Sequence, residues 1–520
     1  MKHVLLALPL FVLACSSADG AGAYGDIGEP SGPGVEDAGS PSGDSTPPSP
    51  SHGEDAAPAN ETAAPPKEPD LVLVKDLAIE ELAIFQGVKV PLEKAGVADE
   101  GKKVHVVAGR EGLLRVYVAP AAGWSSREVI AELTLKVEGK PDRVLTATKT
   151  VTTKSDDADL ASTINVELPS GAIEMGAQYQ VRLLEKPGRS GTVTSARFPV
   201  NEGFSPLDVL DTGESLKVVL VPIKANGYTP DISDAQLDRY RKQLQAMYPV
   251  RKVDLKVHAV YEYNGVYAKG VGIGGALDAI TALRKKDAVE KDVYYYGVFT
   301  PTSSFSTYCV GGCTTGLCHL TQPGDTFLRA CVGVGFTGSS SAGTMAHELG
   351  HAHGIPHAPC GGVAGSDSKY PYAGGKIGSW GYDGRTQALV SPSKSYDFMS
   401  YCSPEWISDY AFDRIIHRMD YVRKEPSVIG GVSQTYQVVH VLADGTLEWG
   451  ADIDLDEPMF GEPHEVSVVT PEGAHTKVTG YFYPYADEGG SLFVPKKTGV
   501  KLGTIDVAGF GIERHLPVAR

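Results

Sequence analysis

The sequence predicts a multidomain protein in which a central α/β domain is flanked by β-sandwich-like domains. Three observations predict it. At 520 residues the chain has room for about three or four cores of ordinary size. Short runs alternating apolar with polar residues fill the stretches from about 71 to 203 and from about 430 to the end, as half-buried strands do. Between them the apolar spacing switches between the two-residue period of a strand and the 3.6-residue period of a helix. A composition of 42% hydrophobic and 21% charged residues suits folded cores.

Residues 1–15 read as a signal segment. Lys2 and His3 precede an apolar run over 4–13 that is too short for a lasting membrane span. It ends Val12-Leu13-Ala14-Cys15-Ser16-Ser17, which resembles a bacterial lipobox with Cys15 as the lipidated residue. That resemblance implies an exported bacterial lipoprotein, anchored at the outer membrane or cell surface through lipid alone, with a secreted form as the alternative. Residues 16–70 are Gly, Pro, Ser, Ala, Asp and Glu with almost no large apolar side chains, so they predict a disordered tether.

Residues 71–203 form the first β domain, with strands expected over 112–118, 131–137 and 178–184. Residues 204–427 form the α/β domain. Strands are expected over 216–223, 254–263, 292–299 and 329–336, and helices over 234–248, 274–286, 341–353 and 409–424. Residues 428–520 return to strands, beginning over 434–441. His440, His464, His475 and His515 stand alone there and read as surface or hydrogen-bonded histidines.

A formal net charge of -17 argues against nucleic acid and anionic membrane surfaces as partners. Setting Cys15 aside leaves Cys309, Cys313, Cys318, Cys331, Cys360 and Cys402. An even number in one region of an exported chain reads as disulfides, although the connectivity stays open. A rival reading joins Cys309, Cys313, Cys318 and Cys331 with His319 in a structural zinc cluster; the spacing fits paired C-x2-C knuckles poorly.

The strongest chemical signal is His347-Glu348-Leu349-Gly350-His351-Ala352-His353-Gly354-Ile355-Pro356-His357. On a helix His347 and His351 project from one face, one turn apart, where one Zn2+ can take both. Gly354 can end the helix with a positive φ, which lets His357 return to the same ion. Glu348 then points to the attacking water instead of the metal. His353, two residues past His351, faces away and reads as structural.

Downstream runs Tyr396-Asp397-Phe398-Met399-Ser400-Tyr401-Cys402. A zinc motif of this form followed by a methionine turn resembles the metzincin metallopeptidases. The resemblance rests on His347, Glu348, His351, Gly354, His357 and Met399 and covers the middle of the chain. It implies a sheet with the zinc helix behind it, Met399 packed beneath the metal, and Tyr401 reaching the zinc or the oxyanion. It also implies that Cys360 and Cys402 meet below the metal and pair. Ala358, after the third histidine, departs from the best-known branches. The wording His357-Ala358-Pro359-Cys360-Gly361-Gly362 with Trp380-Gly381-Tyr382-Asp383 looks more like a bacterial branch related to secreted proteases that cut mucin-type glycoproteins. The expected function is a zinc-dependent endopeptidase acting on extracellular proteins or glycoproteins. The alternative is a zinc-containing surface adhesin or glycan-binding protein with little catalysis. The tether holds no cysteine after Cys15, which argues against a cysteine latch on the metal.

Overall fold

The structure, a computed structural model, describes residues 71–99, 104–265, 267, 272–310, 312–425, 432–469, 473, 475–497, 501–507 and 514–516. The lipobox with Cys15 and the tether over 16–70 lie outside the described residues. The protein is multidomain and rich in β-structure, built on several separate sheets. Among the described residues, no helix is long and apolar enough to cross a membrane.

The N-terminal region holds two antiparallel sheets. One orders Val72–Leu73, Gln178–Glu185, Arg127–Lys136 and Arg143–Val151; the other orders Val97–Ala98, Lys89–Lys94, Leu77–Phe85, Gly112–Pro120 and Ile164–Leu168. Alternation decides which face is buried. In Arg127–Lys136 the residues Val129, Ala131, Leu133 and Leu135 are buried while their neighbours are not. They share one core with Val116, Val118, Val166, Val181 and Leu183.

That core runs on into the central region. Two polar anchors reinforce the junction. Buried Arg110 donates to the carbonyls of Ala246 (3.1 Å) and Val250 (2.9 Å), and also to that of Tyr248, so it satisfies acceptors at the end of the helix Asp234–Met247. Trp406 Nε1 donates to the Gly87 carbonyl at 2.8 Å.

The central sheet has the order Val253–Val257, Leu216–Lys224, Val293–Phe299, Ala330–Val334 and Gly316–Cys318. The first four strands are parallel and the last is antiparallel at the edge. Both faces of the inner strands Leu216–Lys224, Val293–Phe299 and Ala330–Val334 are covered, which is why these are mostly apolar, whereas the edge strand Val253–Val257 alternates. Leu216, Val218 and Leu220 pack with Leu237, Tyr240 and Leu244 and with Met345 and Leu349 of the helix Ser339–Ala352. Val221 and Ile223 pack on the opposite face with Ala276, Leu277 and Ile280 of the helix Ile273–Lys286.

One expected strand is corrected. The stretch 254–263 is not continuous: it splits into Val253–Val257 and Tyr261–Glu262, both paired with Leu216–Lys224. Val257 faces Leu220 and Tyr261 faces Ile223, so this chain uses one more residue than its partner over the same rise. The residues between leave the ladder, and Val260 is exposed.

The C-terminal strands form one antiparallel sheet. Its order is Leu447–Leu455, Gln434–Val441, Gly490–Lys496, His475–Pro484, Glu462–Val469, Thr504–Val507 and Arg514–Leu516. It is docked on the central region. Phe327 and Leu328 pack with Tyr436, Val438, Ile453 and Phe493. A backbone seam also joins the two: Leu320 N donates to the Pro484 carbonyl and Ala486 N to the Cys318 carbonyl, both at 3.1 Å, around an antiparallel bridge between His319 and Tyr485.

His440 lies in this junction, buried, with Nδ1 2.7 Å from the Tyr485 hydroxyl and Nε2 3.0 Å from Asp278 Oδ2. Burial opposes its charge, but the Asp278 carboxylate outweighs it and holds the imidazole above its ordinary pKa. A raised folded pKa stabilises fully below the unfolded histidine value of about 6.5, and the stabilisation is lost as pH rises through the folded value. Denaturant midpoints of the full chain should therefore fall across that range, and His440→Asn should flatten the fall. Equal slopes for the two proteins would refute this contribution.

Candidate metal centre

The helix Ser339–Ala352 carries His347, Glu348 and His351, and it ends where Gly354 takes φ 78°. That left-handed turn is closed by Gly354 N donating to the His351 carbonyl (2.7 Å) and Ile355 N to that of Gly350 (3.1 Å). The chain reverses and His357 comes back beside the helix. His347 Nε2 lies 3.0 Å from His351 Nε2 and 3.2 Å from His357 Nε2. The three rings stand 4.6 to 5.2 Å apart.

The opposite ring nitrogens explain this approach. Nδ1 of His347 lies 2.7 Å from the Phe398 carbonyl, that of His351 2.7 Å from the Ile355 carbonyl, and that of His357 2.9 Å from the Ala364 carbonyl. A carbonyl only accepts, so each Nδ1 carries the proton and each Nε2 presents a lone pair. Three lone pairs converge with no proton between them, an arrangement that needs a cation. Burial, reinforced by the neighbouring His357, lowers His347 to about 4. Burial takes His351 well below the histidine range and lowers His357 too. The set is thus neutral at physiological pH, as ligands must be. Backbone carbonyls on the second nitrogens fix tautomer and ring orientation, the usual outer support of liganding histidines. The donor set and its spacing fit Zn2+.

The floor comes from the turn after Tyr396–Asp397. Buried Asp397 accepts from Met399 N (2.8 Å) and Ser408 N (3.0 Å), which shapes the turn and aims the Phe398 carbonyl at His347. Met399 is fully buried, with its sulfur against Gly350. Ala358 N donates to the Met399 carbonyl (3.0 Å) and Tyr401 N to that of Cys360 (3.1 Å), and a Cys360–Cys402 disulfide ties the same two segments.

The remaining cysteines pair as Cys309–Cys313 and Cys318–Cys331. The zinc cluster weighed for them is not formed, and His319 turns instead to Ser491 Oγ at 3.0 Å. Cys318–Cys331 staples the edge strand to its neighbour, and Cys331 Sγ lies 3.3 Å from the Glu348 carbonyl. His353 is buried, stacked on Tyr294 at 4.4 Å, with Nδ1 2.7 Å from the Leu349 carbonyl; its place is structural. A second histidine–carboxylate group, His105, Asp413 and His417, lies apart at the seam with the helix Asp409–Lys424; there His105 Nδ1 is 2.8 Å from Asp413 Oδ1.

Two residues of the site were not expected from sequence. The Glu348 carboxylate lies against Gly316 of the edge strand, where an added Cβ would come within 2.1 Å of Oε1. Burial, and then the charge of Asp487, hold Glu348 well above the ordinary carboxylate range. Asp487 is the second: its Oδ1 accepts from the Tyr401 hydroxyl at 2.6 Å and lies 3.8 Å from His357 Nε2. A lone Gly in a three-residue strand and a lone Asp in a turn carry no sequence signal. Tyr401 itself is half-exposed, with its ring 5.1 Å from that of His357.

The family description Peptidase M66 matches residues 328–409, which contain all three histidines, Glu348, Met399 and Tyr401. The site is that of a metallopeptidase. No curated protein sequence matches this chain. Among solved structures, metalloproteinase-II from Bacteroides fragilis is similar at 13% identity, over 59% of this chain and 83% of that one, with a TM-score of 0.24. The metallopeptidase site thus rests on the M66 match and on the histidine geometry.

Proposed function

We propose that the protein is a zinc-dependent endopeptidase of the metzincin type that hydrolyses peptide bonds of extracellular proteins or glycoproteins. The observation that carries this is the convergence of three neutral imidazoles beside a buried carboxylate that is not one of the three donors. Zinc held by His347, His351 and His357 supplies Lewis acidity, polarising a carbonyl and acidifying water. Glu348, braced against Gly316 in a water-poor setting, takes the proton of the attacking water and passes it to the leaving amine. The Tyr401 hydroxyl is a donor at the rim that can turn to a developing oxyanion when substrate competes for it. Met399 does no chemistry; it fills the space below the helix.

The leader ending at Cys15 and the tether over 16–70 support a lipoprotein held at a bacterial surface, with the peptidase region at a distance from the membrane. The wording around His357 and Trp380 supports mucin-type glycoproteins as a substrate class. The test is a metal assay on the full chain, followed by digestion of casein and of a mucin-type glycoprotein. Expected are one zinc per chain, loss of cleavage on chelation and recovery on adding zinc. Zinc without cleavage of either substrate would shift the reading to a surface adhesin.

A further inference from the structure

Resting on the metallopeptidase reading, we propose that Asp487, supplied by the C-terminal sheet, is a fourth protein ligand that closes the metal centre until substrate arrives.

The argument starts from the edge strand Gly316–Cys318. One side pairs with Ala330–Val334, and its chain continues into a second partner: Pro484, Tyr485 and Ala486 run antiparallel to Cys318, His319 and Leu320 through the two 3.1 Å backbone bonds. This is strand addition at a sheet edge, the mode by which an extended peptide docks on a sheet, here performed by the protein's own chain. The next residue along the inserted strand is Asp487. Travelling from Leu320 back toward Gly316, the strand leads to the residue against which the Glu348 carboxylate rests.

The Asp487 carboxylate is delivered to the mouth of the histidine triad. Its Oδ1 is 3.8 Å from His357 Nε2, against 3.0 and 3.2 Å for the spacing among the imidazole nitrogens themselves. It stands outside the set of three nitrogens that lie within 4.8 Å of one another, so a side-chain rotation is needed to bring it onto the metal. The Tyr401 hydroxyl holds it from the side at 2.6 Å, and Tyr401 is tied through its backbone to Cys360, three residues after His357. Three imidazoles leave one position of a tetrahedral zinc site open, and a fourth protein ligand is what separates a closed site from an open one.

The root of the turn is not loose. Tyr485 is buried, and its hydroxyl meets His440 Nδ1 at 2.7 Å and Ser491 Oγ at 3.0 Å, while Ser491 Oγ also meets His319 Nε2 at 3.0 Å. The carboxylate is thus placed by a buried polar network, whereas its own side chain stays partly accessible, at 36%. Substrate can displace the side chain without undocking the sheet, and displacement also frees the Tyr401 hydroxyl.

The test uses the full chain, Zn2+ and Co2+. Zinc affinity is measured by competition with a chromophoric chelator, and the visible spectrum of the cobalt form reports the ligand set. Asp487→Ala should weaken zinc binding by at least about tenfold, and both Asp487→Ala and the isosteric Asp487→Asn should shift the cobalt bands. Asp487→Asn keeps an acceptor for Tyr401, so its shift reports the lost carboxylate and not a collapsed turn. If the unaltered chain binds zinc and both variants match it in affinity and spectrum, Asp487 is only a partner of Tyr401 and the inference is overturned. If the unaltered chain binds no zinc, the metallopeptidase reading falls first and the inference with it.

Discussion

Replacing Glu348 by glutamine will reduce peptide hydrolysis by about 10³-fold or more while zinc remains bound at one per chain. The reasoning is local. Glu348 contributes no atom to the convergent set of Nε2 donors, so the amide leaves that set untouched. The side chain keeps its volume against Gly316, which leaves the packing unchanged. What is lost is a base able to take a proton and return it; the nearby Asp487 carboxylate is engaged by the Tyr401 hydroxyl at 2.6 Å. Turnover and zinc content measured on the same preparation check the expectation. Full activity in the glutamine variant would remove Glu348 from the chemistry.

Gly316→Ala will lower turnover by about 10²-fold, again with zinc retained. A methyl group there would sit 2.1 Å from Glu348 Oε1 and 2.5 Å from its carboxyl carbon, well inside any tolerable contact. The edge strand cannot retreat, because Cys318–Cys331 and the ladder to Ala330–Val334 hold it. The carboxylate must swing instead, and a displacement of about 1 Å at a reacting group costs on that order. The effect should fall on kcat more than on KM, since the Gly316 backbone is preserved. Unchanged kcat would show that Glu348 acts from another rotamer.

These two substitutions also mark where sequence reading reaches and where it stops. His347, His351 and Gly354 were legible because one helix turn and its end fix their relation within a few residues. Met399 was legible only through its resemblance to a known turn; nothing in the spacing says that its sulfur meets Gly350. The inner parallel strands announced themselves as apolar runs. The break in 254–263 did not, because it follows from register against Leu216–Lys224, a property of the pair and not of either strand. Gly316 and Asp487 were invisible for the same reason: each matters through neighbours that lie far away in sequence.

The seam at Cys318–Leu320 has a further consequence for solubility. A sheet that ends in an uncovered strand offers its free N–H and C=O groups to any extended chain, including another copy of itself. Pro484–Ala486 covers part of that margin, and Pro484 supplies an acceptor without adding a donor of its own. Cutting the chain before Gln434 to isolate a smaller peptidase would uncover it. The product expected is an aggregating fragment, and the C-terminal sheet is in this sense the guard of the edge as well as its neighbour.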